Sequence, residues 1–403
     1  METDREVAAS ELDDQLFSSA PDDPQVPDPY PRQAGEELAV FATPIDPDVQ
    51  TLLDQMDDRS LIVNPDFQRQ SVWVGPRQSR LIESLIVNIP IPPCYFAEDA
   101  NGIRVVVDGQ QRLRAIEQFR AGQYALSGLE IRDDLNGKRW TDLAPRDARR
   151  IVRRVLRTIV ISHLSDPDIK FEIFRRLNTG GVPLTEQEIR NAVYRGKFNS
   201  LLDRLARNEM FLGLLRRTYP DLRLRHHELV LRFFALDHQL GNYQPPLKKI
   251  LNSYMDSARD FDVEVLELLQ QRFLAAMSAV GTVFGGDAYR RFRVEEEGEA
   301  LREAEELTSG ELAASYETVV SKAVYDLEMI GLVDIPPGEL EVKRQAIRTA
   351  FEGLSTESET FVDVLSRATD HRSRFYTRMR LWGERLANEG IDAPFFHRLP
   401  SDS

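Results

Sequence analysis

The residues with the most evident chemical capacity stand where a β-branched run meets a polar tetrad. IRVVV at 103–107 runs into Asp108-Gly109-Gln110-Gln111-Arg112 and then LRAIEQF. The run predicts a strand, and the segment after it predicts a helix closed by Gly122. A helix that opens at Gly109 leaves its first backbone N–H groups without intrahelical partners, and together with the helix dipole these favour phosphate or another anion. Arg112 in the first turn adds a planar cation that can fork onto phosphate oxygens, and Gln110 and Gln111 add uncharged donors. Gly109 removes a side chain that would hold a ligand off the backbone. The same tetrad also reads as an ordinary helix start, with Asp108 as the cap and Gln111 completing the box three residues on.

A second constellation is Asn178-Thr179-Gly180-Gly181, followed by Thr185-Glu186-Gln187-Glu188. An Asn on a glycine-bearing turn with a Glu on the next helix suits a ribose, a base edge or a metal-bridged phosphate. Alternatively, Gly180 and Gly181 supply only positive φ, and Glu188 only completes a capping box with Thr185. Phe67-Gln68-Arg69 and Trp73 equally suit a core cluster at a strand edge.

These residues need elements to hold them. Residues 1–45 are rich in Asp, Glu and Pro and read as a disordered acidic arm. VQTLLDQM from Val49 has helical spacing, and LIVN at 61–64 reads as a strand. Gly75-Pro76 opens a helix, and YFA at 95–97 with IRVVV predicts a hairpin. RVLRTIVISHL at 154–164 predicts a strand, and Asp166 caps the next helix. Beyond residue 200 the apolar spacing is helical throughout, including ELAASYETVVSKAVYDLEMIG. The pattern predicts an α+β fold, with domains at 46–200 and 201–403.

The net charge of −15 is unevenly spread. Residues 1–60 hold 16 acidic and 3 basic side chains, 61–250 hold 21 and 31, and 251–403 hold 29 and 17. The central excess leaves room for a phosphate-facing surface despite the acidic total. RDARRIVRRVLR at 146–157 offers Arg149, Arg150, Arg153 and Arg154 as DNA contacts, or else a solvated helix and strand edge.

Several classes fall away. No apolar run reaches the roughly 18 residues of a membrane span, and the acidic start lacks a secretory signal, so a cytoplasmic protein without membrane contact is expected. A lone cysteine, Cys94, makes neither an internal disulfide nor a Cys-rich zinc site. There is no GxxxxGK[ST] motif. His226-His227-Glu228 is followed by Leu231 rather than the second His of HExxH, and Glu341-Val342-Lys343 has helical spacing rather than the strand an ExK nuclease needs.

In order along the chain, N64-P-x-F-Q-R69…W73, L81-I-E-S84…P90-I91-P92, V107-D-G-Q-Q-R112 and F174-x-x-L-N-T-G-G181…L184…E188-I-R-N191 resemble the N-terminal domain of GmrSD-type restriction endonucleases. That domain belongs to the ParB/sulfiredoxin-like superfamily, and the likeness covers roughly residues 45–200. Gly109, Arg112, Arg114 and Ala115 match the ParB phosphate box G-E-R-R-x-R-A. Asn178, Leu184 and Glu188 keep the spacing of the next box, whose acidic residue before the Asn is Leu177 here.

The resemblance implies a ParB/sulfiredoxin-like domain followed by an all-α helical one, with a nucleotide pocket between the two boxes. Gln68, Arg69, Gly109, Gln110, Arg112, Arg114, Asn178, Thr179, Gly180, Gly181, Arg190 and Asn191 would bind the nucleotide. Asp108, Gln111, Arg112 and Glu188 would act in catalysis, and Asp108 and Glu188 would contact Mg2+. The implied ligand is an NTP, with ATP, GTP and CTP all open, and the implied activity is NTP hydrolysis or a ParB-like nuclease. The implied setting is a restriction-type phage-defence system acting with DNA. The back half lacks the histidine-based nuclease of larger relatives, since only His397 follows Asp370-His371, so a separate nuclease or defence subunit is an expected partner. The alternative is a non-catalytic DNA-binding or partner-binding subunit.

Overall fold

The computed structural model describes residues 39–63, 73, 75–177, 184–221, 223–294 and 314–401. Gln68, Arg69 and the Asn178–Gly181 turn lie outside the described residues. The described chain divides into two compact units, the first ending at Arg195 and the second beginning at Gly196.

The first unit runs β1 (Ala42–Ile45), α1 (Val49–Asp57), β2 (Leu61–Ile62), α2 (Gly75–Val87), β3 (Cys94–Glu98), β4 (Arg104–Asp108), α3 (Gln110–Arg120), α4 (Pro145–Val152), β5 (Thr158–Ile161), α5 (Pro167–Leu177) and α6 (Glu186–Val193). Its five-stranded sheet has the order β1-β5-β3-β4-β2. The expected hairpin is β3–β4, whose turn is held by Asp99 accepting from the amides of Asn101 and Ile103, each at 2.9 Å. Strand alternation divides the side chains between two faces. Cys94, Phe96 and Val106 pack on one face with Leu81, Ile82 and Leu85 of α2 and Leu113, Ile116 and Phe119 of α3. Ala97, Val107 and Ile161 pack on the other, beneath Phe171 and Phe174 of α5 and Ile189 of α6. Each large side chain so buried contributes about 1.5–3 kcal/mol.

This topology positions both constellations. β3 is antiparallel to β4 and parallel to β5, so Ile161 ends β5 at the opposite edge from Asp108. α5 begins there and packs on the sheet through Phe171 and Phe174, and therefore runs back across it. Leu177, the last residue of α5, is thereby carried toward the end where β4 passes into α3.

The second unit comprises α7 (Lys197–Ala206), α8 (Glu209–Leu214), α9 (Arg225–Gln239), α10 (Leu247–Ala258), α11 (Val263–Phe284), β6 (Arg290–Val294), β7 (Ala314–Val320), α12 (Lys322–Leu332), α13 (Pro337–Glu357), α14 (Glu359–Ser366), α15 (Arg372–Asn388) and α16 (Pro394–His397). Helix α12 is buried on every side from Ala323 to Leu332 and forms the axis of the unit. The all-α expectation is corrected here, because β6 and β7 form an antiparallel pair. The stretch expected as one helix through ELAASYETVVSKAVYDLEMIG is instead a strand and a helix. Thr318, Val319 and Val320 are β-branched, and Ser321 caps α12 through the Val324 amide. Since the five-stranded sheet mixes antiparallel with parallel pairs and the second strand pair is antiparallel, the fold remains α+β.

Glu328, on α12, is fully buried. One carboxyl oxygen accepts from the Tyr289 amide at 2.8 Å, and the other is buried without a partner among the described residues. Burial raises its pKa well above the usual carboxylate range. The Tyr289 amide, Arg290 and Arg348 oppose the shift, and Asp287 reinforces it. A raised folded-state pKa gives stability that is complete below about pH 4.5 and lost as pH rises through the folded value. Glu328→Gln keeps the acceptor for Tyr289 and removes the titration. The variant is expected to melt above wild type at pH 8 and level with it at pH 4, checked by thermal denaturation across that range.

Candidate functional site

The helix α3 starts as the tetrad predicted, but its cap differs from the Asp108 cap expected as the alternative. Gly109 is the N-cap residue, with φ of 103° and no side chain of its own to cap, and among the described residues no other side chain bonds the amides that open the helix. Asp108 fails to cap because it turns to Arg112, one helical turn on, with an Nη2–Oδ2 distance of 2.5 Å. Arg112 also donates to the carbonyl of Pro92 and, at 3.3 Å, to that of Pro93. Its side chain is 11% exposed and that of Asp108 is 43% exposed. In this arrangement the guanidinium ties the segment before β3 to the β4–α3 junction and is not spread toward solvent.

Gly109 has a further reason to be glycine. A Cβ at this position would lie 2.6 Å from Cys94 Sγ, which is buried in the core beneath it. The bare backbone thus makes room for Cys94, in addition to adopting a left-handed conformation that other residues resist. Gly109→Ala is expected to cost about 1–3 kcal/mol in strain, plus the clash. Cys94→Ala in the same chain should recover the clash but leave the strain, as read from urea-unfolding midpoints of the single and double variants.

The neighbouring glutamines point inward. Gln110 Nε2 donates to the Val106 carbonyl at 3.0 Å. The side-chain oxygen of Gln111 is buried with no hydrogen-bond partner among the described residues. Arg114 is half-buried on the same helix.

At the second constellation, Thr185 and Glu188 form the expected capping box. The Thr185 hydroxyl accepts from the Glu188 amide at 3.2 Å, and the Glu188 carboxylate accepts from the Thr185 amide. Glu188 is completely buried, so one of its oxygens is committed to the cap. Arg190, 1% exposed, pairs with Glu186 at 2.8 Å and lies over the Phe171 ring, while Asn191 beside it is half-buried. Gln187, which sequence reasoning did not single out, is fully buried and its Nε2 has no partner among the described residues.

Among the described residues no three of His, Cys, Asp and Glu gather into a cation cage. The donor set suits a magnesium ion carried in on phosphates, because such an ion usually keeps waters and takes only one or two carboxylates. Asp108 fits that part, being half-exposed with one oxygen on Arg112, whereas buried Glu188 fits poorly.

The arginines offered for DNA separate into two kinds. Arg149, Arg150 and Arg153 are exposed around the end of α4, and Arg150 lies 3.7 Å from Asp147. Arg154 is instead tethered, donating to the Leu85 carbonyl at 2.9 Å and to the Asn88 side chain. Trp73 is partly buried against the core, with the Arg77 guanidinium 5.0 Å from its ring, as the core-cluster reading expects.

Glu341, Val342 and Lys343 lie on helix α13, which removes the strand-borne nuclease reading. No helix among the described residues is long and apolar enough to cross a membrane.

No curated protein matches the chain. Residues 49–195 match the family model described as GmrSD restriction endonuclease, N-terminal domain, a span that opens with α1 and closes where the first unit ends. The match contains the DGQQR junction and the Thr185–Glu188 box, so the segment from Val49 to Arg195 is similar to the GmrSD N-terminal domain family.

Proposed function

We propose that this chain is a nucleotide-binding, NTP-hydrolysing component of a restriction-type defence system acting with DNA, and that its first unit is a ParB/sulfiredoxin-like fold. The observation that carries the reading is the start of α3. Within the segment that matches the family model, a strand of the central sheet passes into a helix whose first amides no side chain among the described residues caps. Bare amides at a helix N-terminus seat phosphate. Arg112 stands one turn away, and a triphosphate would compete with Asp108 for it by offering more negative charge. Mg2+ would be held by Asp108 together with the phosphates, neutralising charge on the transferring group. The buried Gln111 oxygen lacks a donor among the described residues and suits the task of orienting an attacking water, a task that glutamine performs in other NTPases.

The test is phosphate release from ATP, GTP and CTP, with and without DNA, by wild type and Arg112→Ala. Release from at least one nucleotide by wild type and its loss in the variant support the reading. Neither binding nor release of any of the three in wild type would sink it.

The exposed Arg149, Arg150 and Arg153 favour a second reading, a DNA-binding subunit without turnover. DNA affinity that falls steeply with salt, with no phosphate released from any nucleotide, would select it.

A further inference from the structure

We propose that the loop between α8 and α9 of the second unit is a contact surface for a single strand of nucleic acid, whose phosphates meet Arg217, Arg223 and Arg225 while one base stacks on Tyr219. Over residues 216–225 the chain reads RRTYPDLRLR, four arginines and one aspartate around a tyrosine. An unpaired strand needs both kinds of group, cations along its backbone and a flat face for a base.

Tyr219 supplies the face. It is 79% exposed and packs on no other aromatic ring among the described residues, so its ring is open to a ligand. A single exposed apolar side chain needs no explanation by itself. Its place among arginines on a pinned loop gives it one.

The loop is held from within. Asp221, 6% exposed, accepts from the amides of Arg223 at 3.0 Å and Arg225 at 2.8 Å, and its own amide donates to Nδ1 of the buried His226 at 3.1 Å. Burial holds the His226 pKa down to about 4, against the pull of Asp221 and with help from His227, Arg217 and Arg225. The imidazole is therefore neutral at neutral pH and able to accept that bond. On the other side of the tyrosine, the Arg217 amide donates to the Leu212 carbonyl at 2.8 Å. The arginines thus project from a fixed backbone, and binding a strand would order little chain.

The electrostatics favour an anion. Asp221 is shared between two amides and the Arg225 guanidinium, 3.9 Å away. Arg216 turns to Asp287 at 2.9 Å, a carboxylate that Arg348 also takes. Arg290, 1% exposed, donates to the carbonyls of Leu214 and Leu215 at 3.1 and 3.3 Å, which places a further cation against the start of the loop. Burial lowers the pKa of Arg217, and the Arg225 charge lowers it further against Asp221. Cations that disfavour one another in this way gain from an incoming phosphate. An acidic polypeptide would meet the arginines and leave Tyr219 unused, and a duplex hides its base faces. A single strand uses both.

This inference rests on the reading of a chain that acts with DNA, and the experiment keeps the two apart. Labelled oligodeoxythymidylate and oligouridylate of about 12 nucleotides are titrated against the full chain by fluorescence anisotropy at several salt concentrations. A duplex of the same length and polyglutamate serve as competitors, and the relative affinity of the two strands tells DNA from RNA. A strand is expected to bind with affinity about five- to ten-fold weaker in Tyr219→Ala and close to wild type in Tyr219→Phe, which keeps the stacking face. Arg223→Gln should weaken binding and flatten its salt dependence. Binding carried by the exposed arginines of α4 would not respond to Tyr219. Arg112→Ala should lose phosphate release and keep strand binding, so failure at the Gly109 junction and failure here read differently. The proposal is overturned if neither strand binds, if Tyr219→Ala binds as wild type does, or if duplex or polyglutamate competes as well as the unlabelled strand.

Discussion

Arg112→Ala is expected to weaken triphosphate binding by about ten- to a hundred-fold, the equivalent of losing one or two charge-assisted hydrogen bonds worth about 1.5–3 kcal/mol in total. The guanidinium now rests on Asp108 and on the carbonyls of Pro92 and Pro93. A nucleotide would gain it by offering phosphate oxygens in place of some of these acceptors. Removing the side chain withdraws that partner and also loosens the segment before β3. Equilibrium dialysis with labelled nucleotide, at a temperature where circular dichroism shows both proteins folded, separates the binding effect from the structural one. Equal affinities would mean that the guanidinium serves only to tie Pro92 and Pro93 to the junction.

A larger loss, this time of stability, is expected from Asp326→Ala. Asp326 is fully buried on α12 and accepts from Arg232 at 2.6 and 2.7 Å and from Arg378 at 3.2 Å. Arg378 is also fully buried, and Arg232 is 3% exposed with Asp370 as its remaining carboxylate partner. Truncating Asp326 leaves two guanidiniums in the core of the second unit with little to balance them. Breaking a buried pair in this way costs about 3–5 kcal/mol. Asp326→Asn keeps the shape and the acceptor oxygen and should cost less. Urea unfolding measures both, and a loss below about 1 kcal/mol in Asp326→Ala would show that water or Asp370 already satisfies the arginines.

The contrast between these two sites shows what the sequence could carry. The β4–α3 junction is legible because its signals are local: a β-branched run, a glycine and a helical pattern lie within about fifteen residues of one another. The Thr185–Glu188 box is legible for the same reason, since both partners share one helical turn. The partners of Arg112 are not. Pro92 and Pro93 lie about twenty residues away and act through main-chain carbonyls, which carry no residue identity. Cys94 under Gly109 is likewise hidden, because a contact across the sheet edge leaves no periodic trace. Asp326 reaches Arg232 over 94 residues and Arg378 over 52, and no local spacing announces such a cluster. The strand at Ala314–Val320 reads as helix in the sequence because helix-forming residues flank it. Its pairing with β6, on the far side of residues 295–313, decides the outcome.

The most direct test of the account is hydrogen–deuterium exchange of the segment 105–115 with and without a magnesium triphosphate. If the uncapped start of α3 is the phosphate seat, the amides of Gly109, Gln110 and Gln111 should exchange more slowly when nucleotide is present, and Arg112→Ala should erase most of that protection. Nucleotide that binds while these amides exchange at their free rate would contradict it.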